Sequence, residues 1–204
     1  MNDTIFCLPK QEGGSIEKAY NRVMNQEIGY TSSSNTVRKK HKDKKIIGMS
    51  INRTPIAIPN TVLNTVGISL KEKTYDDLYH LYMLVTLEDN VQLSIEKNLV
   101  VKIAVAKTRR SNTETILVNN VPNLTLNELL KNTETKMGYN YHRYSARDNN
   151  CQDYLLNILL ANRFGGNKVK AFIKQDTKGL VGKNTSKVLD GITRTAGIFQ
   201  TLVN

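Results

Sequence analysis

From Ile46 onward the chain alternates short β-branched runs with turn residues, and two later segments repeat their apolar positions at helical spacing. The runs IIGMSI, TPIAIP and TVLNTVGISL, punctuated by Asn, Pro and Gly, read as strands of a meander. Tyr79 to Leu87 and Val91 to Asn98 are extended segments on either side of Glu88-Asp89-Asn90. Asp and Asn tolerate turn conformations, so this stretch predicts a hairpin. LVVKIAVAK and TETILVNNV continue the sheet. Thr125 followed by Glu128 is a capping-box start for the helix LNELLKNTETKM, and Gly138 ends it. A second helix is expected to open at Asp148 to Asn150, whose side chains can accept the unbonded N–H groups of a first turn. It runs through CQDYLLNILLANRF to Gly165-Gly166, with Cys151, Leu155, Ile158 and Asn162 on one stripe.

Outside this region the pattern weakens. Ile16 to Met24 is a short helical pattern bounded by Gly13-Gly14 and Gly29, and reads as an arm. TSSSNTVRKKHKDKK, from Thr31 to Lys45, carries almost no apolar surface to offset the entropy of ordering and is expected to be a flexible boundary. Past Ser186, the residues Val188, Leu189, Ile192, Ala196, Phe199 and Val203 recur at helical spacing and predict an amphipathic terminal helix. The expected organisation is therefore an arm and basic linker over 1–45, an α+β domain over 46–180 and a C-terminal helix over 181–204. Its centre is an antiparallel sheet packed against the helix that carries Cys151.

A length of 204 residues allows one sizeable core with tails. The hydrophobic fraction of 39% and the absence of Trp imply that part of the chain packs poorly. The 29 Lys and Arg outnumber the 18 Asp and Glu, and a formal charge of +11 favours polyanionic surfaces, whether nucleic acid or an acidic bilayer. The densest cluster is Arg38, Lys39, Lys40, Lys42, Lys44 and Lys45, a charge tether or a solvated linker. No apolar run is long enough to span a bilayer, and MNDTIFCLPK lacks the basic-then-apolar order of a secretion signal. The expectation is a protein made inside the cell, in a reducing compartment. Cys7 and Cys151 are the only cysteines, far apart and without metal-ligand spacing, so neither a disulfide scaffold nor a metal site is expected. No cofactor is implied.

The position of Cys151 carries chemistry. On the first turn of a helix, free N–H groups and the helix dipole favour a thiolate, the form that acts as nucleophile. The competing reading is a small buried hydrophobe. His80 opens a strand whose alternation sets His80, Tyr82, Leu84 and Thr86 against Leu81, Met83, Val85 and Leu87. A strand holds a base firmly, so His80 is the favoured partner and His142, in an irregular loop, the rival. His41 falls in the charge run. A third group is needed to orient the imidazole. The returning strand offers Gln92, Ser94, Glu96 and Asn98; Glu96 is preferred because a carboxylate stabilises imidazolium, with Asn98 as the alternative.

The order of His80 on a strand, a hairpin return through QLSIEKN, and Asn150-Cys151-Gln152-Asp153-Tyr154 opening a helix resembles the circularly permuted NlpC-type papain-like fold. That group includes the lecithin:retinol acyltransferase-like proteins, and SARDNNCQDYLLNILLAN is similar to virus-encoded members of this kind. The resemblance spans roughly Tyr75 to Gln175. It implies a thiol acyltransferase, phospholipase, amidase or peptidase, with a virion association among the expectations. The acyltransferase-like proteins carry a second histidine on the returning strand, whereas here no histidine lies between His80 and His142.

Three function classes follow. In the first, His80 deprotonates Cys151, which attacks an ester or amide carbonyl, with Asn150 and Gln152 at the helix start capping it and holding the oxyanion. A phospholipid acyl substrate at an anionic membrane suits the basic surface and amphipathic tail; a peptide substrate is the alternative. In the second, the protein is a non-catalytic virion or scaffold component that binds protein partners through arm, linker and terminal helix. The third, a sequence-reading nucleic-acid protein, lacks a recognisable motif.

Overall fold

A computed structural model describes residues 29–55, 79–98, 100–106, 112–145 and 149–174. Within them the chain is α+β, with five strands and four helices. The elements are α1 (Ser32–His41), β1 (Ile46–Pro55), β2 (Tyr79–Leu87), β3 (Gln92–Lys97), β4 (Val101–Val105), β5 (Glu114–Leu117), α2 (Leu126–Met137), α3 (Cys151–Ala161) and α4 (Asn167–Ile173). A 3-10 turn, Gly138–Tyr141, follows α2. The strands form one antiparallel sheet in the order β4-β3-β2-β1-β5.

The expected hairpin is present. Asn90 takes a positive φ of 62°, its N–H bonds to the Leu87 carbonyl at 2.8 Å, and Asp89 Oδ1 accepts from the Val91 N–H at 3.3 Å. The register pairs Tyr82 with Glu96 and Leu84 with Ser94, so β2 and β3 share their faces residue by residue. Leu81, Met83, Val85 and Leu87 are fully buried, and Leu93, Ile95 and Ile103 continue that layer across β3 and β4. Leu129 and Leu130 of α2, with Tyr154, Leu155, Ile158 and Leu159 of α3, belong to the same core. The stripe expected on α3 is buried along its whole length, Asn162 included.

Three expectations change. The segment from Thr31 to Lys45 contains α1 instead of being a flexible boundary, and the fold starts before Lys45. Thr31 caps the helix through the Ser34 N–H at 3.1 Å, and the buried Ser34 hydroxyl accepts from the Ile103 N–H of edge strand β4 at 2.9 Å. A polar side chain that completes a sheet edge holds this helix, so its lack of apolar residues did not prevent docking. Lys42 and Lys44 carbonyls accept from Asn127 and Leu126 at 2.8 and 3.1 Å, which ties the basic run to the start of α2. β1 runs through Asn52-Arg53 to Pro55 where two separate strands were expected, because Asn52 is buried and satisfied: Thr115 Oγ1 donates to its Oδ1 at 2.7 Å and its Nδ2 donates to Ser50 Oγ at 3.1 Å. β5 does not extend a simple meander beyond β4; it pairs with β1 at the opposite edge.

The capping box Thr125/Glu128 and the Gly138 terminus of α2 are as expected. α3 stops at Ala161 instead of reaching Gly165-Gly166. The expected helices at 16–24 and 186–203, and the run TVLNTVGISL, lie outside the described residues. Among those described, no helix is long and apolar enough to cross a membrane.

Candidate active site

Cys151 is the first residue of α3, and its N-cap is Asn150. Asn150 Oδ1 accepts from the N–H groups of Gln152 and Asp153 at 2.8 and 3.3 Å, and Asp153 Oδ2 accepts from the Asn150 N–H at 3.1 Å. This reciprocal box fixes the first turn. It also revises the expected oxyanion donors: the Gln152 amide is already bonded to the cap. The Cys151 N–H has no intrahelical partner by its position, which leaves it as the backbone donor at the helix start.

His80 lies at the beginning of β2, opposite Thr54 of β1. Strand pairing makes it the diagonal neighbour of Glu96, whose carboxylate Oε2 is 2.7 Å from His80 Nε2. The Cys151 side chain lies close enough to the imidazole to raise its pKa. Three residues from two strands and a helix terminus thus form one chain of contacts, Glu96 to His80 to Cys151. Cys151 is a free thiol. All three are buried, with relative exposures of 2% for Glu96, 8% for His80 and 9% for Cys151.

Burial alone pulls the His80 imidazole down. The neighbouring Cys151 side chain and the bonded Glu96 carboxylate outweigh that and hold it up at about 9. Imidazolium is therefore the form favoured near neutrality. Lys102 Nζ stands 4.0 Å from Glu96 Oε1, on the far side of the carboxylate.

The remaining residues singled out in the sequence lie elsewhere. Asn98 follows the end of β3, where its N–H bonds to the Val100 carbonyl at 3.1 Å; the position facing Nε2 of His80 belongs to Glu96. His142 is packed edge-on against Tyr30 and Tyr141, and its Nε2 faces Glu134 Oε1 at 3.5 Å. Burial lowers His142, with Glu134 opposing. Of the basic cluster, Lys39, Lys40, Lys42 and Lys45 are exposed. Arg38 stacks over the Tyr30 ring at 4.8 Å, and Lys44 Nζ is 3.6 Å from Asp89 Oδ2.

The chain matches no family model, no curated protein and no solved structure. The geometry must therefore speak through its chemistry. A thiol at a helix N-terminus, an imidazole that can take or return its proton, and a buried carboxylate holding that imidazole are the parts of a thiol nucleophile. Among the described residues no group of His, Cys, Asp and Glu could hold a metal ion. A groove of about 940 Å³ lies between β5 and the C-terminal end of α3, lined by Ile116, Leu117, Leu160, Phe164 and Val169. It contains none of the three contact residues.

Sequence reasoning missed Lys97. It is 1% exposed, one residue after Glu96, and its Nζ donates to the Asn140 carbonyl at 2.8 Å and to Asn149 Oδ1 at 3.2 Å. Burial pushes it down to about 8, with the Asp153 charge opposing. At the end of a strand a lysine reads as a solvated flank, and no local signal distinguishes it from one.

Proposed function

We propose that this protein is a cysteine-dependent acyl hydrolase or acyltransferase, with Cys151 as nucleophile, His80 as acid and base, and Glu96 as the group that orients His80. One observation carries the reading: a buried imidazole bonded to a buried carboxylate, beside a thiol that opens a helix and helps to hold the imidazole charged. The resemblance to the permuted NlpC-type papain-like fold is consistent with it, since an antiparallel sheet supplies the histidine and a later helix start supplies the cysteine.

The reaction runs as follows. The Cys151 thiolate attacks the carbonyl carbon, a C–S bond forms, and the carbonyl π pair moves to oxygen. The Cys151 N–H stabilises that oxyanion, a role in which one donor is worth about 3 kcal/mol. As the C–O or C–N bond breaks, the leaving group takes the proton of the His80 imidazolium, leaving a thioester. Neutral His80 then takes a proton from water or an acceptor alcohol or amine, which attacks the thioester and releases the thiolate. Glu96 stays ionised throughout.

Exposed Lys39, Lys40, Lys42 and Lys45 favour a phospholipid ester at an anionic surface over a peptide bond. The test begins with iodoacetamide alkylation of Cys151 against pH in a Cys7→Ser background. His80→Ala is expected to slow alkylation at pH 7 by roughly tenfold or more, because the thiolate loses its counter-ion. Acyl release from phosphatidylserine vesicles, absent in Cys151→Ala, then separates the lipid reading from cleavage of peptide amides. Equal alkylation rates with and without His80 would sink the enzyme reading and leave a binding role for the virion or scaffold class.

A further inference from the structure

Glu96 and Lys97 are consecutive residues of β3, so the pleat sends their side chains to opposite faces of the sheet. Glu96 holds His80. Lys97 holds the chain that enters the Cys151 helix. Its ammonium donates to Asn149 Oδ1 at 3.2 Å and lies 5.6 Å from the centroid of the Tyr154 ring. Asn149 directly precedes the N-cap, and Tyr154 is in the first turn of α3. Asn149 passes the restraint on, donating through Nδ2 to the carbonyls of Asn140 at 2.8 Å and Arg143 at 2.7 Å. Lys97 Nζ bonds to the same Asn140 carbonyl, which closes the network onto the turn after α2.

The two hydrogen bonds of this ammonium go to neutral oxygens. Among the described residues no carboxylate lies within ion-pair distance of this ammonium, and the Asp153 charge only partly offsets its burial, so an apolar side chain of similar length would fill the space at lower cost. What the ammonium supplies is direction, because two donors and one ring fix the Asn149-Asn150-Cys151 corner relative to β3. We infer that Lys97 is a positioning residue for Cys151, so that adjacent positions on one strand set both partners of the reactive pair. The inference rests on the reading of Cys151 and His80 as that pair.

The test compares Lys97→Met and Asn149→Ala with the parent in the Cys7→Ser background, each with and without His80→Ala. Two quantities are read: the rate of Cys151 alkylation at pH 7, and backbone amide exchange at Gln152 and Asp153. Both variants are expected to fold, to exchange these amides faster than the parent, and to alkylate roughly tenfold more slowly, with most of the His80 effect gone. Loss of coupling to His80 is what a packing role alone would not produce. Parent-like exchange at the helix start together with an undiminished His80 effect in either folded variant overturns the inference. Asn149→Ala carries the comparison if Lys97→Met does not fold. A parent whose alkylation ignores His80 defeats the proposed function instead, and amide exchange at the helix start still decides whether Lys97 positions it.

Discussion

At the scale of single residues, Glu96 supports the raised His80 beside Cys151, whose contribution comes first. Glu96 contributes both a hydrogen bond and a Coulombic attraction to the raised His80, and at 2% exposure it is little screened. Glu96→Gln keeps the shape and removes the charge. The His80 titration, followed by NMR, is expected to move down from about 9 toward its ordinary value of 6.5, and turnover to fall by roughly tenfold or more. An unmoved titration would mean that Cys151 alone sustains the imidazolium. Sequence reasoning reached His80, Cys151 and Glu96 because the signals are local: strand alternation, a helix start, and a carboxylate on the returning strand. It could not see that Glu96 and Lys97 are both buried, since covering a strand end depends on what packs over it.

Elements show the same division. Asn150 caps α3 by accepting the N–H groups of Gln152 and Asp153 at its Oδ1, and Asn150→Ala is expected to cost about 1 kcal/mol in urea denaturation. Such caps are legible because donor and acceptor are neighbours in the chain. α1 is the opposite case. Its Ser34 hydroxyl satisfies the Ile103 N–H of an edge strand far away in sequence. Ser34→Ala leaves that buried N–H unpaired and is expected to cost about 1–3 kcal/mol, with faster amide exchange at Ile103 as the local signature. A variant with parent-like stability and exchange would show that the contact adds nothing. Since α1 has little apolar surface, its order comes from this docking and from the carbonyls of Lys42 and Lys44 bonded to α2, not from its own composition.

For the whole molecule, the buried imidazole and the buried ammonium make stability depend on pH in two overlapping windows of opposite sign. His80 is raised from 6.5 to about 9, so the folded state binds more protons than the unfolded state between these values and stability falls as pH rises through them. Lys97 is lowered from 10.5 to about 8, so above pH 8 the unfolded state binds more protons and stability recovers as pH rises toward 10.5. Urea denaturation from pH 6 to 10.5 is expected to show a shallow minimum between about pH 8 and 9, where the two effects cancel, with limbs of about 1–3 kcal/mol. His80→Gln should flatten the lower limb and Lys97→Met the upper; a profile that only falls would contradict the Lys97 assignment, and one that only rises the His80 assignment. By itself the sequence determined the hairpin, the two capped helices and the buried stripe of α3, and it put forward His80 and Cys151 as candidates, all of which follow from periodicity and turn chemistry within a few residues. Tertiary structure alone decided that β5 pairs with β1, that the basic segment orders as a helix, that Glu96 instead of Asn98 or His142 completes the contact with His80, and that Lys97 braces the Cys151 turn. These depend on which surfaces exclude water and which distant donors meet acceptors, and a linear pattern of polar and apolar residues does not encode that.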